Sequence, residues 1–173
     1  MSIFPTKVLL AADGSEEANL ALRTAVDLAN STNSEIHVVT VGREYHPGYE
    51  IPEYGTQLEE ALRRLERQTQ GVLDEQVRKI EEAGGTVSKA HLRMEGRPDQ
   101  EIVRLGEEIG AGLIVMGSRG LGGLKRALMG SISDSVVRYA HCPVLVVRPD
   151  KSADSHPRPF LRRGSAAGSG RSA

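Results

Sequence analysis

The segment from Lys7 to Val41, "KVLLAADGSEEANLALRTAVDLANSTNSEIHVVTV", contains the pattern from which the fold follows. Apolar runs of strand length stand at both of its ends, and the second run is rich in β-branched residues. Between them, Ala and Leu recur at helical spacing from Ala18 to Ala29, and Ser15 is placed to cap the start of that helix. The segment therefore predicts one βαβ unit, in which a helix joins two parallel strands.

The rest of the chain continues this alternation. It predicts a long amphipathic helix, a strand near Val87–Arg93, a helix from about Pro98, a strand in "GLIVMG", a further helix and a last strand, "VLVV". On the first of these helices one face is shared by Leu58, Leu62, Leu65, Val72 and Ile80. On the second, Ile102, Leu105 and Ile109 are predicted to face inward, and the third is marked by Ile132, Val136 and Ala140. Strands and helices that alternate in this way form an α/β fold, a doubly wound five-stranded parallel sheet with helices on both faces.

Three residues stand at carboxyl ends of the predicted strands. Ligands of open parallel sheets bind at these ends, where the strand order reverses. Asp13, Val41 and Gly117 follow or end the first, second and fourth strands. We therefore expect them to line one crevice.

Composition limits the classes of function. The chain has 173 residues and is 39% apolar, which fits one domain over residues 1–150 followed by a disordered Ser-, Gly-, Pro- and Arg-rich tail over 151–173. The net charge of -1 and an aromatic content of 3% predict neither a nucleic-acid nor a membrane partner. A signal-peptide pattern and a long apolar run are both absent from the sequence, which predicts a cytoplasmic protein.

A glycine-rich loop, "GSRGLGGLKRALMGS", follows the fourth strand at residues 117–131. It reads Gly117-x2-Gly120-x9-Gly130-Ser131, and its last two residues open a predicted helix. Unpaired amides and the helix dipole favour an anion at such a helix start, and glycines let the backbone approach a phosphate. The loop is neither a Walker A motif nor a Rossmann fingerprint, because Gly-Lys-Ser/Thr is absent and the loop follows the fourth strand.

From about Lys7 to Pro149 the chain resembles the universal stress proteins, specifically their ATP-binding branch. The most specific motifs are "MGSRG" through "GSISDSVVRYAHCPVLVVRP", "AADGSEEA" and "GRPDQEI". The family's nucleotide signature, Gly-x2-Gly-x9-Gly-Ser/Thr, is matched in full by Gly117, Gly120, Gly130 and Ser131. Gly106 stands where the family commonly has Ala, a departure that concerns helix stability and not the site.

The resemblance implies the strand order 3-2-1-4-5 and an ATP molecule, with or without Mg²⁺, across the point where that order reverses. It implies the following contacts: Asp13 and Val41 with the nucleoside, Met116 and Gly117 with the ribose side, and Gly120, Gly130, Ser131, Ile132 and Ser133 with the phosphates. Arg119 is a further candidate in the loop.

Several of these residues also have a purely structural interpretation, which the sequence leaves open. The glycine loop fits a mobile surface connection, and Asp13 fits a stabiliser of the "DGS" turn. Ser131 with Asp134 fits the Ser-x-x-Asp capping pattern. Val41 and Met116 end apolar strands, so their expected role is in the core, and only the resemblance implies that they contact a ligand.

Other chemically active side chains are predicted to form no site. Lys125 and Arg126 are expected to be solvated surface cations, and His37 and His91 to be core or edge residues of strands. Cys142 is expected to be a buried, inert thiol. We predict no metal site and no catalytic residue.

The favoured function is an ATP-binding stress-response and signalling module that hydrolyses ATP slowly at most and reports its occupancy to an unidentified partner. The alternative is a nucleotide-independent interaction protein of the same fold. An ATP-using ligase or transferase is disfavoured because its Ser-Gly-Gly-x-Asp-Ser or His-x-Gly-His motifs are absent. In the strand order that the resemblance implies, the apolar last strand, Val144–Val147, lies at an edge of the sheet. We therefore predict a symmetric homodimer in which two copies of this edge pair, as the resemblance to the family also implies.

Overall fold

The computed structural model describes residues 3–42, 55–121 and 129–149, and the side chains of residues 55–57 are not described. Its elements are β1 (Lys7–Ala11), α1 (Glu16–Thr32), β2 (Glu35–Val41), α2 (Gly55–Glu82), β3 (Val87–Arg93), α3 (Pro98–Ile109), β4 (Leu113–Gly117), α4 (Ser131–Tyr139) and β5 (Val144–Val147). All neighbouring strands are parallel, in the order β3-β2-β1-β4-β5. The predicted fold class and strand order are confirmed, and the predicted tail lies outside the described residues.

The two central strands are buried on both faces of the sheet. Val8 and Leu10 of β1 belong to a core cluster shared with α1 and α2, whereas Leu9 belongs to a second cluster shared with α3 and α4. This burial explains why β1 and β4 are continuous apolar runs and do not alternate between apolar and polar residues.

Helix α1 begins where its sequence predicted. The Ser15 hydroxyl accepts a hydrogen bond from the Ala18 amide at 3.2 Å, which confirms Ser15 as the capping residue. Glu16 and Glu17 occupy the first turn and complement the positive end of the helix dipole. The chain leaves α1 through Asn33, which adopts the left-handed conformation that ends many helices.

Helix α2 packs on the sheet along only part of its length. Ile80 and Leu73 are buried, but Leu62, which helical spacing places on the same face as Ile80, is 44% exposed, so that face is not buried along its whole length. The helix has 28 residues, about 42 Å at 1.5 Å per residue, whereas a seven-residue strand spans about 23 Å. The first turns of α2 therefore overhang the sheet.

Helices α3 and α4 cover the other face. Ile102, Leu105 and Val136 are buried as predicted, whereas Ile132 is 40% exposed. Ile132 is therefore not a core residue, and its side chain lies at the mouth of the cavity described below.

The predicted strand histidines form a pair across β2 and β3. His37 Nδ1 lies 3.2 Å from His91 Nε2, and the two rings stack. Burial, together with the nearby His37, lowers the pKa of His91 to about 4. Burial also raises the pKa of the half-buried Cys142 thiol. Within residues 3–42, 55–121 and 129–149, no group of three or more metal-binding side chains occurs.

Candidate functional site

A cavity of about 1100 Å³ lies at the carboxyl ends of β1, β2 and β4, between α2 and the start of α4. The parallel register of β1 with β2 and β4 brings these strand ends together. The ten residues that the sequence predicted as a site all line this cavity: Asp13, Val41, Met116, Gly117, Arg119, Gly120, Gly130, Ser131, Ile132 and Ser133.

One wall of the cavity is the amino end of α4. Gly130 is the residue that caps this helix, and no described side chain accepts a capping hydrogen bond from its first turn. The first three amides of an α-helix have no acceptor within the helix, so those of residues 131–133 are available to a ligand. The helix dipole adds positive potential at this point.

The predicted capping role of Ser131 is wrong, because Ser131 is the first helical residue and not the cap. The Asp134 amide bonds to the Gly130 carbonyl, and the Asp134 carboxylate accepts a hydrogen bond from Arg138 on the helix surface. The Ser131 side chain is therefore exposed beside the cavity and is not used by the helix itself.

The three glycines of the motif pack closely against their neighbours in the cavity wall. A Cβ atom on Gly120 would lie 2.2 Å from Asp13 Oδ2, and one on Gly117 would lie 2.9 Å from the Glu17 backbone. A Cβ atom on Gly130 would lie 3.1 Å from the Ser118 carbonyl oxygen. A side chain at position 117 would therefore clash with backbone, one at 120 would displace the Asp13 carboxylate, and one at 130 would require a small shift of the Ser118 carbonyl. Lys125 and Arg126, which belong to the same loop, lie outside the described residues.

Ser118, which the sequence did not single out, connects the elements around this wall. Its carbonyl accepts hydrogen bonds from the Gly130 amide and the Ser133 hydroxyl, both at 2.8 Å, and its own amide donates to the Val147 carbonyl at 2.8 Å. The Ser118 hydroxyl donates to the Glu17 carboxylate. Because the Ser133 hydroxyl already donates to backbone carbonyls, Ser133 offers a ligand its amide.

Two charged side chains, Asp13 and Arg119, line the described part of the cavity. Asp13 Oδ1 accepts a hydrogen bond from the Ser15 amide and Oδ2 accepts one from the Leu121 amide, both at 3.0 Å. Asp13 thus stabilises its own turn and also holds the glycine loop. Arg119 forms an ion pair with Glu17, with 3.3 Å between Nε and Oε1. Among the described lining residues, Asp13 is the one acidic and Arg119 the one basic side chain.

The opposite end of the cavity is largely apolar. Val41 ends β2 there, and α2 adds four residues that the sequence did not assign to the site: Leu65, Gln68, Thr69 and Val72. Helical spacing alone placed Leu65 and Val72 on one shared face of α2. They face inward, but onto the cavity, because α2 overhangs the end of the sheet.

A buried carboxylate fixes α4 against α3. Asp99, in the first turn of α3, accepts hydrogen bonds from Ser135 at 2.6 Å and from Arg97 at 2.9 Å. Burial alone would raise the pKa of Asp99, but these hydrogen bonds and the Arg97 charge outweigh it, so the pKa lies below the usual value. Sequence spacing gave no indication of this contact.

Fold and site together define an α/β protein in which a glycine loop, and a helix start with no described side-chain cap, lie at the point where the strand order reverses. The chain belongs to the universal stress protein family, whose sequence model matches residues 5–148. It is 36% identical to universal stress protein MJ0531 of Methanocaldococcus jannaschii over 146 residues, which cover 84% of this chain and 83% of that protein.

Solved structures share the architecture. The hypothetical protein MJ0577 superposes with a TM-score of 0.72 at 28% identity, covering 87% of this chain and all of that one. A universal stress protein from Archaeoglobus fulgidus in complex with dAMP gives a TM-score of 0.56 at 25% identity, covering 84% of this chain and 99% of that one. Within the described part of this chain, no helix is both long and apolar enough to span a membrane.

Proposed function

We propose that this protein binds ATP in the cavity and acts as a stress-response module. The observation that carries the proposal is the amino end of α4, where no described side chain caps the helix and the first amides face a cavity lined by glycine backbone and Arg119. The Asp134 carboxylate in the first turn is paired with Arg138 on the helix surface, so the amides and the dipole suit a phosphate group.

The two ends of the cavity suggest how the nucleotide lies. The phosphates would meet the amides of residues 131–133, the backbone of Gly120 and the Arg119 guanidinium. The base and ribose would lie between Val41 and the α2 side chains Leu65 and Val72. If Mg²⁺ accompanies ATP, the phosphates would be its main ligands, because Asp13 is the only carboxylate among the described lining residues.

The comparisons support an adenine nucleotide as the class of ligand. The Archaeoglobus fulgidus protein with this fold is in complex with dAMP. The curated relatives carry the name of stress proteins and not of an enzyme activity. In the proposed function, ATP is bound and at most slowly hydrolysed, and a signalling partner in the cytoplasm responds to the occupied state.

Calorimetric titration with ATP, AMP and GTP tests this proposal. We expect saturable heat with ATP, a rise in melting temperature at ligand concentrations above the dissociation constant, and weaker binding of GTP. The absence of both heat and a thermal shift at millimolar ATP would overturn the proposal.

That negative result would favour a nucleotide-independent interaction module of the same fold. One observation supports this alternative: the glycines of the motif already pack closely against Asp13, Glu17 and Ser118 within the protein itself. Their presence therefore does not by itself prove that a ligand is bound. For the same reason Gly130→Val is an ambiguous test, because valine would crowd the Ser118 carbonyl in the empty protein as well.

We also propose a homodimer through β5. This strand is an edge of the sheet, its centre carries no charge, and the side chain of Leu145 is 37% exposed. The opposite edge strand, β3, carries Lys89, the kind of charge that prevents pairing between edges. Antiparallel pairing of two β5 strands about a twofold axis would satisfy the open backbone groups of both copies.

Sedimentation analysis of Leu145→Lys tests the dimer. We expect the variant to shift toward monomer, while Leu62→Lys, which places the same charge on an exposed leucine of α2, leaves the wild-type state unchanged. Val146 is less suitable than Leu145 because it packs against the core. A wild-type protein that sediments as a monomer at tens of micromolar, an order-of-magnitude range for weak interfaces, would contradict the proposal.

A further inference from the structure

The Arg119 side chain is held at the cavity wall by Glu17, a residue that does not itself line the cavity. The two residues are 102 positions apart in sequence, and the side chains are 23% and 15% exposed for Arg119 and Glu17. Arginine has a long and flexible side chain, so a fixed position for its guanidinium requires a specific partner.

Glu17 is itself held rigidly. It belongs to the first turn of α1, where its backbone packs so closely on Gly117 that a Cβ atom there would lie 2.9 Å away. The Ser118 hydroxyl donates to Oε2 of Glu17, and Arg119 Nε lies 3.3 Å from Oε1. Both carboxylate oxygens therefore have a partner, and both partners come from the segment that follows β4.

We propose that Glu17 is a positioning residue that fixes Arg119 toward the phosphates and so makes the affinity of the site rise with the number of phosphates. This inference rests on the proposed nucleotide site. An arginine already fixed in place loses less conformational freedom when a phosphate binds than a mobile one does. The more charged ATP gains more from a fixed cation than AMP does.

The negative charge of Glu17 opposes this effect, but more weakly. Arg119 lines the cavity and Glu17 does not, so the cation lies nearer to a bound phosphate than the carboxylate does. Coulomb energy falls with distance and is further reduced by solvent screening, so the attraction of Arg119 outweighs the repulsion from Glu17.

Titration of ATP and AMP into four variants tests the inference. Glu17→Gln keeps the shape of the side chain and an acceptor for Ser118 but removes the charge that holds Arg119. Glu16→Gln is the matched control, because it removes the neighbouring, exposed charge from the same helix turn. Arg119→Gln and the double variant Glu17→Gln/Arg119→Gln complete a double-mutant cycle.

We expect Arg119→Gln to weaken ATP about tenfold and Glu17→Gln to weaken ATP about three- to fivefold, with AMP changed by less than about twofold in Glu17→Gln. Glu16→Gln should bind as the wild type does. In the Arg119→Gln background, Glu17→Gln should have no further effect on ATP, since its role acts through Arg119.

Tighter ATP binding by Glu17→Gln, an effect equal to that of Glu16→Gln, or additivity with Arg119→Gln would each overturn the inference and leave the nucleotide site intact. A wild-type protein that binds no ATP would overturn both.

Discussion

Helices α1 and α4 begin at the same edge of the sheet, after the adjacent parallel strands β1 and β4, but their amino ends differ. The amino end of α1 is stabilised by its own chain: Ser15 caps it, and two glutamates lie in its first turn. The end of α4 has a glycine cap, no described side-chain acceptor, and Asp134, whose carboxylate is bonded to Arg138.

The difference shows which helix start is available to an external anion. Both helices have the same dipole and the same unpaired first amides. In α1 the Ala18 amide is bonded to Ser15 and two glutamates complement the dipole, which stabilises the fold. In α4 the first amides face the cavity, and a ligand would satisfy them.

The largest expected effect comes from placing a carboxylate at the first residue of α4, beside the cavity. In Ser131→Asp, the exposed first residue of the helix becomes a carboxylate beside the proposed phosphates. We expect ATP affinity to fall about 10- to 100-fold, since like charges a few ångström apart near a protein surface repel by roughly 1–3 kcal/mol. The melting temperature should stay equal or rise, because an acidic residue suits a helix start. Calorimetry and thermal denaturation measure the two effects.

Ser131→Asn is the control, because it has the size of aspartate without the charge. It should retain most of the ATP affinity. If both variants bind ATP as the wild type does, the amino end of α4 is not the phosphate site.

A smaller effect is expected at the start of α3, which, like that of α1, carries carboxylates of its own. Asp99→Asn retains a bond to Ser135 but weakens the interaction with Arg97, so we expect a loss of about 1–2 kcal/mol in the free energy of unfolding at pH 7. Because the folded pKa of Asp99 lies below its ordinary value of 3.8, its stabilisation is complete above that value and is lost as the pH falls further.

Urea unfolding at pH 7 and near pH 3 measures this difference. The gap between the wild type and Asp99→Asn should narrow at the lower pH. A gap of the same size at both values would show that the charge of Asp99 contributes nothing to stability.

The smallest effect is expected from removing the side-chain cap of α1. Ser15→Ala removes the cap and should cost about 1 kcal/mol of stability, or a fall of roughly 2–4 °C in melting temperature for a domain of this size. ATP affinity should change by less than about twofold, because Glu16 and Glu17 still keep anions away from this end. A large loss of ATP affinity in Ser15→Ala would mean that α1 also contributes to the site.

The sequence was sufficient for those features that depend on neighbouring residues. The apolar runs predicted the strands β1, β2 and β4. The cap of α1 was predicted because Ser15 directly precedes residues with helical spacing. The ten predicted site residues lie around one cavity because parallel strands bring their carboxyl ends to one edge. Their role in binding stays a prediction.

Other features depend on residues far apart in the chain. The Glu17–Arg119 ion pair and the Asp99–Ser135 hydrogen bond join segments whose contact no local pattern encodes. Leu62 is exposed for a related reason. Helical spacing shows which residues of α2 share a face, but it does not show where the sheet beneath that face ends. The interpretation of Ser131 as a cap is wrong because α4 begins at Ser131 itself, one residue earlier than the Ser-x-x-Asp pattern requires.

The positions of Gly42, Leu121 and Met129 have an evolutionary consequence. All three line the cavity, and none of them belongs to a strand. Substitutions at these positions therefore change the lining of the cavity and not the buried sheet. Related chains could diverge there in the ligand they prefer while keeping β1, β2 and β4 unchanged, so selection for a new specificity need not compete with selection for a stable fold.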